Sequence, residues 1–429
     1  MAGWEWYKQE GWLKVYAPLQ EVDPDSHIIA TYRVMPKEGM SVLDAGVQIA
    51  AEESVGTWTT VKATERVLGL AAKVVRVKEA EGLVWVAFPL DLFDVESGIP
   101  NLLSIVAGNL FGLSALRRVR LLDLHIPRAY AGAFRGPKFG IDGVRSMLGT
   151  DANPRPHLGT IVKPKVGLSP EETAEVAYRA ARGGVDMVKD DETLTNQRFC
   201  PLEERVVRVM EALDRAREET GRRVLYAVNV TAHYPVMFRL AETALDHGAN
   251  CLMVDVLTAG FTALQALAED PSIKVPVHVH RAMHAAMTRV REHGIHMMVL
   301  AKLVRLAGGD QLHTGTAAGK MERDVRDVRA INDFLRGEWH GLARVMPVAS
   351  GGIHPALVPR NLELLGVPDV QINAGGGIHG HPWGTEAGAR AMAQAIEAFM
   401  RGVSLEEYAR DHPELAEALR YWGRVYLEG

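Results

Sequence analysis

Hydrophobic positions along this 429-residue chain follow two different rhythms, and the change falls near residue 137. From about residue 140, short runs rich in β-branched and other apolar residues alternate with longer segments whose apolar positions recur at spacings of three and four. The short runs are LGTIVK (158–163), VDMVKDD (185–191), VLYAVNVT (224–231), CLMVDVL (251–257), VPVHVH (275–280), DQLHTG (310–315), VMPVASGG (345–352) and VQINAGGG (370–377). The longer segments, such as 169–184 and 201–221, have helical periodicity. The first opens on Ser169 with Glu172 three residues on and Pro170 in the first turn, a capping-box signature. It stops at Gly183-Gly184. Eight strand-like runs, each followed by helix-forming sequence, predict parallel strands closed into a (β/α)8 barrel. An open doubly wound sheet is the alternative, but no Gly-x-Gly-x-x-Gly follows the first run.

Before residue 137 the pattern is mixed. Runs at 27–36, 69–80 and 82–93 predict strands, and helices are expected near 63–68 and 102–113. The expected fold class is therefore α/β: a smaller α+β N-terminal domain over 1–136, then a C-terminal (β/α)8 TIM barrel over 137–429 that ends in a helical tail from about 404.

Composition changes this picture little. Hydrophobic residues at 47% and charged residues at 24% fit a globular enzyme, and a net charge of −5 gives no reason to expect nucleic acid or an anionic membrane as partner. Cys200 and Cys251 cannot build a disulfide framework, so a reducing cytoplasm is the expected location. The N-terminus lacks a signal-peptide pattern, and no apolar run approaches the ~20 residues of a membrane span. Lysine usage says more. The chain holds 13 lysines against 35 arginines, and beyond residue 140 only Lys163, Lys165, Lys189, Lys274, Lys302 and Lys320 remain. Arginine cannot give up its proton whereas a buried lysine can, so each retained lysine is a candidate for chemistry that needs a neutral amine.

In such a barrel the reactive groups belong at the carboxyl ends of the strands. The polar residues gather there: Lys163-Pro164-Lys165 after the first run, Lys189-Asp190-Asp191-Glu192 after the second, His278-Val279-His280-Arg281 after the fifth, His313 after the sixth. Ser350-Gly351-Gly352 and Gly375-Gly376-Gly377 close the seventh and eighth. Residues i and i+2 of a strand share a face, so Lys189 and Asp191 project together and Glu192 can turn back toward them. Two carboxylates and water suit Mg²⁺. A protonated lysine would repel that ion, a conflict that vanishes if Lys189 is neutral or converted by CO₂ to an anionic carbamate. The glycine turns suit an anion cradled by backbone N–H groups. Across the rim, His280, Arg281 and His313 could hold a second anion, so a bisphosphorylated substrate is expected. Any one of these endings has a bland reading: a charged loop for KDDE, a tight turn for each glycine run, a packed side chain for His278 or His284. Lys320, in TGTAAGKMERD, fits a mobile lid.

Taken together, GTIVKPKVGLSPEETAEVAY, GGVDMVKDDETLTNQRFCPLEERV, VHVHRAMHAAMTR, GGDQLHTGTAAGK, SGGIHPALVPRN and GGGIHGHPWG resemble the large subunit of ribulose-1,5-bisphosphate carboxylase/oxygenase (RuBisCO). In the first domain, AEESVGTWTTV and SIVAGNLFGL resemble the N-terminal motifs of that family. The likeness runs in order through nearly the whole chain and is nearest to form III enzymes, which lack a small subunit. It implies that Lys189 is carbamylated and holds Mg²⁺ with Asp191 and Glu192. It implies that Lys163 is the acid/base of enolisation and product protonation, supported by Lys165, that Lys320 stabilises the new carboxylate, and that His280 moves protons. Arg281, His313 and Ser350 would contact one phosphate or the sugar backbone. Gly351 belongs to the same substrate-binding turn, and Gly352, Gly375 and Gly376, with Thr57 and Trp58, would hold the other phosphate. Glu52, Thr57, Trp58 and Asn109 would complete a neighbouring subunit's site, which implies a homodimer or a higher homo-oligomer. The implied substrates are ribulose 1,5-bisphosphate with CO₂ or O₂, and the implied product of carboxylation is 3-phosphoglycerate.

Three departures stand out: Ile161 replaces the threonine of plant-type enzymes, Arg323 replaces a lid glycine, and the long C-terminal latch is absent. Two other readings compete: a RuBisCO-like enolase or isomerase of methionine salvage, and a non-catalytic barrel that binds a phosphorylated metabolite. The first typically replaces several substrate-binding or catalytic residues, whereas Lys163, Lys165, Lys320, His280, Arg281, His313 and Ser350 are all present. The second predicts decay of lysines that binding does not need, and Lys163, Lys189 and Lys320 remain.

Overall fold

The computed structural model describes residues 15–16, 22–56, 62–319 and 324–425. They form two compact units: the described parts of Met1–Arg135 with Met283–Leu306, and of Gly136–Ala282 with Ala307–Gly429. Strands are numbered in chain order.

The first unit is built on a five-stranded sheet. It contains β1 (His27–Pro36), β2 (Lys73–Lys78), β3 (Leu83–Pro89), β4 (Leu116–His125) and a two-residue strand, Gly294–Ile295, in the order Gly294–Ile295, β4, β1, β3, β2. Alternation in β1 buries Ile28, Ala30, Tyr32 and Val34 on one face. The helix Val42–Glu52 packs on this sheet and opens with a capping box between Ser41 and Asp44. The expected strands at 27–36, 69–80 and 82–93 are present, but periodicity misses β4. Three arginines interrupt its apolar rhythm, and the buried Arg120 is tolerated because its guanidinium donates to the carbonyls of Thr288 and Val290 at 2.9 and 2.8 Å. The helix expected near 102–113 is shorter, Gly98–Val106. It breaks where the backbone at Gly108 passes so close to the Ser104 carbonyl that a Cβ would lie 2.3 Å from that oxygen.

The second unit is a closed barrel of eight parallel strands: β5 (His157–Ile161), β6 (Met187–Lys189), β7 (Leu225–Asn229), β8 (Cys251–Asp255), β9 (Val277–His280), β11 (Gln311–His313), β12 (Met346–Ser350) and β13 (Gln371–Ala374). The Gly294–Ile295 strand is thus β10. Each of the eight sequence runs supplies one barrel strand. β5, β7 and β8 are buried along their whole length, which is why those runs are nearly continuous in apolar residues rather than alternating. Helices Pro170–Gly183, Leu202–Thr220 and Thr385–Arg401 pack around them, the first with its predicted capping box and a left-handed Gly184 at its end.

Helix Gly140–Leu148 contributes Val144 and Leu148 to a core cluster with Met187, Leu225, Ala227, Cys251 and Met253. Three aspartates just ahead of barrel strands hold this amino end together. Asp186 accepts from Arg155 at 2.6 and 2.7 Å and from the Leu158 amide at 2.8 Å. Asp310 accepts from the amides of Phe139, Gly140 and Val277. Asp369 accepts from the buried Arg145 at 2.8 Å. Among the described residues no helix is long and apolar enough to cross a membrane.

Candidate active site

The end of β6 sets the chemistry. Lys189 is fully buried; its Nζ donates to the Asp190 carbonyl at 2.7 Å and lies 3.7 Å from a Glu192 carboxylate oxygen. Burial holds this ammonium below the usual lysine value; Glu192, Asp191 and Asp190 oppose that shift and Lys163 adds to it. Asp191 accepts from Lys163 Nζ at 2.7 Å and from the Thr193 hydroxyl at 2.8 Å. Burial pushes its carboxyl upward, but Lys163 and Thr193 outweigh that and hold it below the usual carboxylate range. Asn229 donates to the carbonyls of Glu192 and Leu194, fixing the loop that carries the acids.

The three acids of the KDDE motif are not equivalent. Asp190 pairs with Arg205 at 3.1 Å, both fully buried, and accepts from the Tyr226 hydroxyl and the Asn229 amide. Its charge is spent on structure. Asp191 and Glu192 are left beside Lys189, and among the described residues no group of three His, Cys, Asp or Glu side chains that could hold a metal is found.

Histidines line the next sector. His280 Nε2 lies 3.7 Å from Glu192 and its Nδ1 3.3 Å from Asp255. The His280 and His313 rings meet edge to face at 4.7 Å. His313 Nε2 is 2.8 Å from His278 Nε2, and His278 Nδ1 is 3.0 Å from Gln311 Oε1. Gln311 donates to Gln371, and Gln371 to Asn373, so a buried polar chain runs from the rim into the barrel. Burial lowers His278 to about 3 and His313 well below the usual imidazole value. Both rings are therefore neutral near pH 7, and one donates while the other accepts. His278, read from sequence as a packed side chain, is the support of His313.

On the remaining strands, Ser350 ends β12 and is followed by Gly351 and Gly352 at φ of 127° and 78°, backbone that suits glycine. A Cβ on Gly375 would lie 3.1 Å from Lys163 Cε, so a larger residue there would press on that lysine. Gly376 has open space around its Cα. His379, which the sequence reading passes over, sits 2.9 Å from both the Thr160 hydroxyl and the Ile161 carbonyl and steadies the strand end before Lys163.

Lys163, Lys189, Asp191, Glu192, His280 and His313 thus form one connected set. Arg281 is buried beside them in sequence, whereas Lys165 lies on the exposed loop after β5 with no ion pair among the described residues. In the first unit, the Asn109 amide donates to Glu52 at 3.4 Å, and both line a cavity of about 430 Å³. Thr57, Trp58 and Lys320 lie outside the described residues.

Comparison with known proteins agrees with this geometry. The profile described as ribulose bisphosphate carboxylase large chain, catalytic domain, matches residues 140–422, and that of the N-terminal domain matches 16–130. The chain is 48% identical over 398 residues to the ribulose bisphosphate carboxylase of Methanocaldococcus jannaschii, spanning 87% of this chain and 92% of that one. It is 44% identical over 416 residues to that of Pyrococcus furiosus, spanning 96% and 98%. Among solved structures it resembles the octameric enzyme of Pyrococcus horikoshii, in complex with sulfate ion, with TM-score 0.90 at 43% identity over 96% of this chain and 97% of that one. The dimeric archaeal enzyme of Hyperthermus butylicus gives TM-score 0.87 at 43% identity over 96% and 99%. On the barrel, the converging rim and these matches over both units, the chain belongs to the ribulose bisphosphate carboxylase large-chain family.

Proposed function

We propose that the chain is a ribulose-1,5-bisphosphate carboxylase, a carbon–carbon lyase with an oxygenase side reaction, whose site is switched on by CO₂ at Lys189. The observation that carries this reading is a fully buried amine, held below its usual pKa, beside the carboxylates of Asp191 and Glu192. A neutral amine can add to CO₂ and lose a proton, leaving a carbamate. That anion would join Asp191 and Glu192 in a donor set of oxygens only, as Mg²⁺ requires. The residues present therefore fit the ion. When bound, Mg²⁺ would act as a Lewis acid on the ketone of the sugar.

The rest falls to the chain itself. Lys163 pairs with Asp191 as an ammonium and is partly exposed. With that pair opened and its proton released to solvent, the neutral amine would take the proton removed at C3 and later return one to the product. The pairing of His280 with Asp255 orients its ring for proton transfer, and the neutral His313 beside it is placed for a substrate hydroxyl or phosphate oxygen. Arg281 and Ser350 serve the same end of the sugar. Gly351, Gly352, Gly375 and Gly376 offer backbone amides to the other phosphate. Lys165 acts on Lys163 at longer range. Lys320 brings its charge to the new carboxylate. Glu52, Asn109, Thr57 and Trp58 complete the site of a second copy, so the working unit is a homodimer or an assembly of dimers without a small subunit. The enediol formed at C2 and C3 attacks CO₂ at C2, and hydration with cleavage of the C2–C3 bond gives two molecules of 3-phosphoglycerate. Attack on O₂ is the side reaction.

The deciding assay is fixation of ¹⁴CO₂ into phosphoglycerate from ribulose bisphosphate, with and without prior incubation in bicarbonate and magnesium. Label in phosphoglycerate that rises with pre-incubation is the expected result. Enolisation without fixation would favour the enolase reading instead.

A further inference from the structure

Glu53 follows Glu52 at the end of the helix Val42–Glu52, and its side chain is buried. One carboxylate oxygen accepts from the Gly108 amide at 2.9 Å, and the other is buried without a hydrogen-bond partner. Gly108 is the residue before Asn109, and a Cβ on it would lie 2.9 Å from that same carboxylate oxygen, so the approach depends on glycine. Glu52, Glu53, Gly108 and Asn109 line the same cavity. The helix carrying Glu52 and the turn carrying Asn109 come from different stretches of chain, and the Asn109–Glu52 contact at 3.4 Å is too long to hold them firmly.

We propose that Glu53 is a positioning residue: its carboxylate ties the Gly108–Asn109 turn to the end of the helix and so sets the spacing between Glu52 and Asn109. This rests on the reading above that Glu52 and Asn109 complete a second copy's site.

The tie depends on charge. No cation pairs with Glu53 among the described residues. The titratable groups facing it are Glu52 on its own helix and Tyr32 on β1, whose hydroxyl donates to the Val106 carbonyl at 2.7 Å; Tyr16, with its hydroxyl buried near Gly56, flanks the same region. Burial raises the Glu53 carboxyl to about 7; the amides of Gly108, Leu110 and Asn109 pull it down and Glu52 pushes it further up. The folded value lies above the unfolded one, so the folded chain holds more protons between about pH 4.5 and 7. Stability therefore falls as pH rises through that window, while the charged form that grips the Gly108 amide gains. Positioning and stability are opposed at this residue.

Three variants of the full-length enzyme test this: Glu53→Gln, Glu53→Asp and Glu52→Gln. Glu53→Gln is expected to raise the thermal midpoint at pH 8, to raise it less at pH 5.5 and to leave it unchanged only below about pH 4.5. It is also expected to lower kcat/KM about tenfold at pH 8, through loss of the charge that strengthens the bond from the Gly108 amide, and to remove an acid limb near pH 7 from the activity profile. Glu53→Asp keeps the charge but is too short to reach Gly108, so it is expected to lose activity without gaining stability. Independently of activity, amide exchange over 104–112 in the unaltered protein is expected to quicken, beyond its intrinsic pH dependence, as pH falls through 7, and to lose that excess in Glu53→Gln. Wild-type kcat/KM, pH profile and exchange in Glu53→Gln overturn the proposal. Full activity in Glu52→Gln instead overturns the reading on which it rests, and the exchange measurement still decides whether the tie exists.

Discussion

At the amino end of the barrel, buried charges are matched: Asp186 to Arg155 and the Leu158 amide, Asp310 to three backbone amides, Asp369 to Arg145. At the carboxyl end, Lys189, His278 and His313 have hydrogen-bond partners but, among the described residues, no charged partner in close contact. Lys189 is buried with its nearest carboxylate oxygen 3.7 Å away, and His278 and His313 share a single hydrogen bond as neutral rings. The fold is the same and the depth of burial is similar, so the difference lies in pairing. Where pairs are complete, charge supports strand register. Desolvation shifts pKa values at both ends, as at Asp310, raised to about 6, but only at the carboxyl end do the shifted groups lie among the proposed catalytic residues. On the proposed function, the two ends divide stability and chemistry between them.

This division can be broken most sharply at Lys189. Lys189→Met, close in volume, is expected to cut carboxylation by about 10³-fold or more, which is over ~4 kcal/mol of transition-state stabilisation. Its thermal midpoint should hold or rise, because a buried amine is removed. A midpoint several degrees lower would show the rim to be structural after all. Lys163→Ala comes next: proton exchange at C3 of ribulose bisphosphate should slow by roughly 10²–10³-fold, the range for loss of a general base, and an undiminished exchange rate would move that role elsewhere. At the opposite end, Asp186→Ala is expected to cost about 3 kcal/mol in urea unfolding, since it strands an arginine and a buried amide. Activity per folded molecule should not change. Loss of activity with stability intact would invert the comparison.

The last effect concerns pH and is absent near neutrality. The folded value of His278, about 3, lies below the ordinary imidazole value, so the folded chain binds fewer protons between about pH 6.5 and 3. Stability is complete above that window and is lost as pH falls through it. His278→Gln should flatten the stability curve by up to about 1.4 kcal/mol per pH unit there. An unchanged slope would mean that the ring is protonated in the folded state.

Much of this was legible in the chain. The eight barrel strands announce themselves because strands covered on both faces must be apolar throughout, and the reactive residues stand out because polar groups at the ends of such runs have no structural excuse. β4 stayed hidden because Arg118 and Arg120 find partners in 283–306, far along the chain. That segment joins the first unit although it lies between barrel strands in sequence. In sequence Asp190 stands apart from Asp191 and Glu192 with nothing to say what holds it; its buried partner, Arg205, becomes visible only in the fold. Gln311, Gln371 and His379 carried no signal, since buried amides and histidines are ordinary residues until their neighbours are known.

Sequence alone determined the strand count, the alternation that closes the barrel and the set of lysines and acids at its rim, because periodicity and residue chemistry are local properties. Only the tertiary structure decided which acid is neutralised, which histidines stay uncharged and which amine is desolvated, because pairing and burial depend on neighbours brought together from distant parts of the chain.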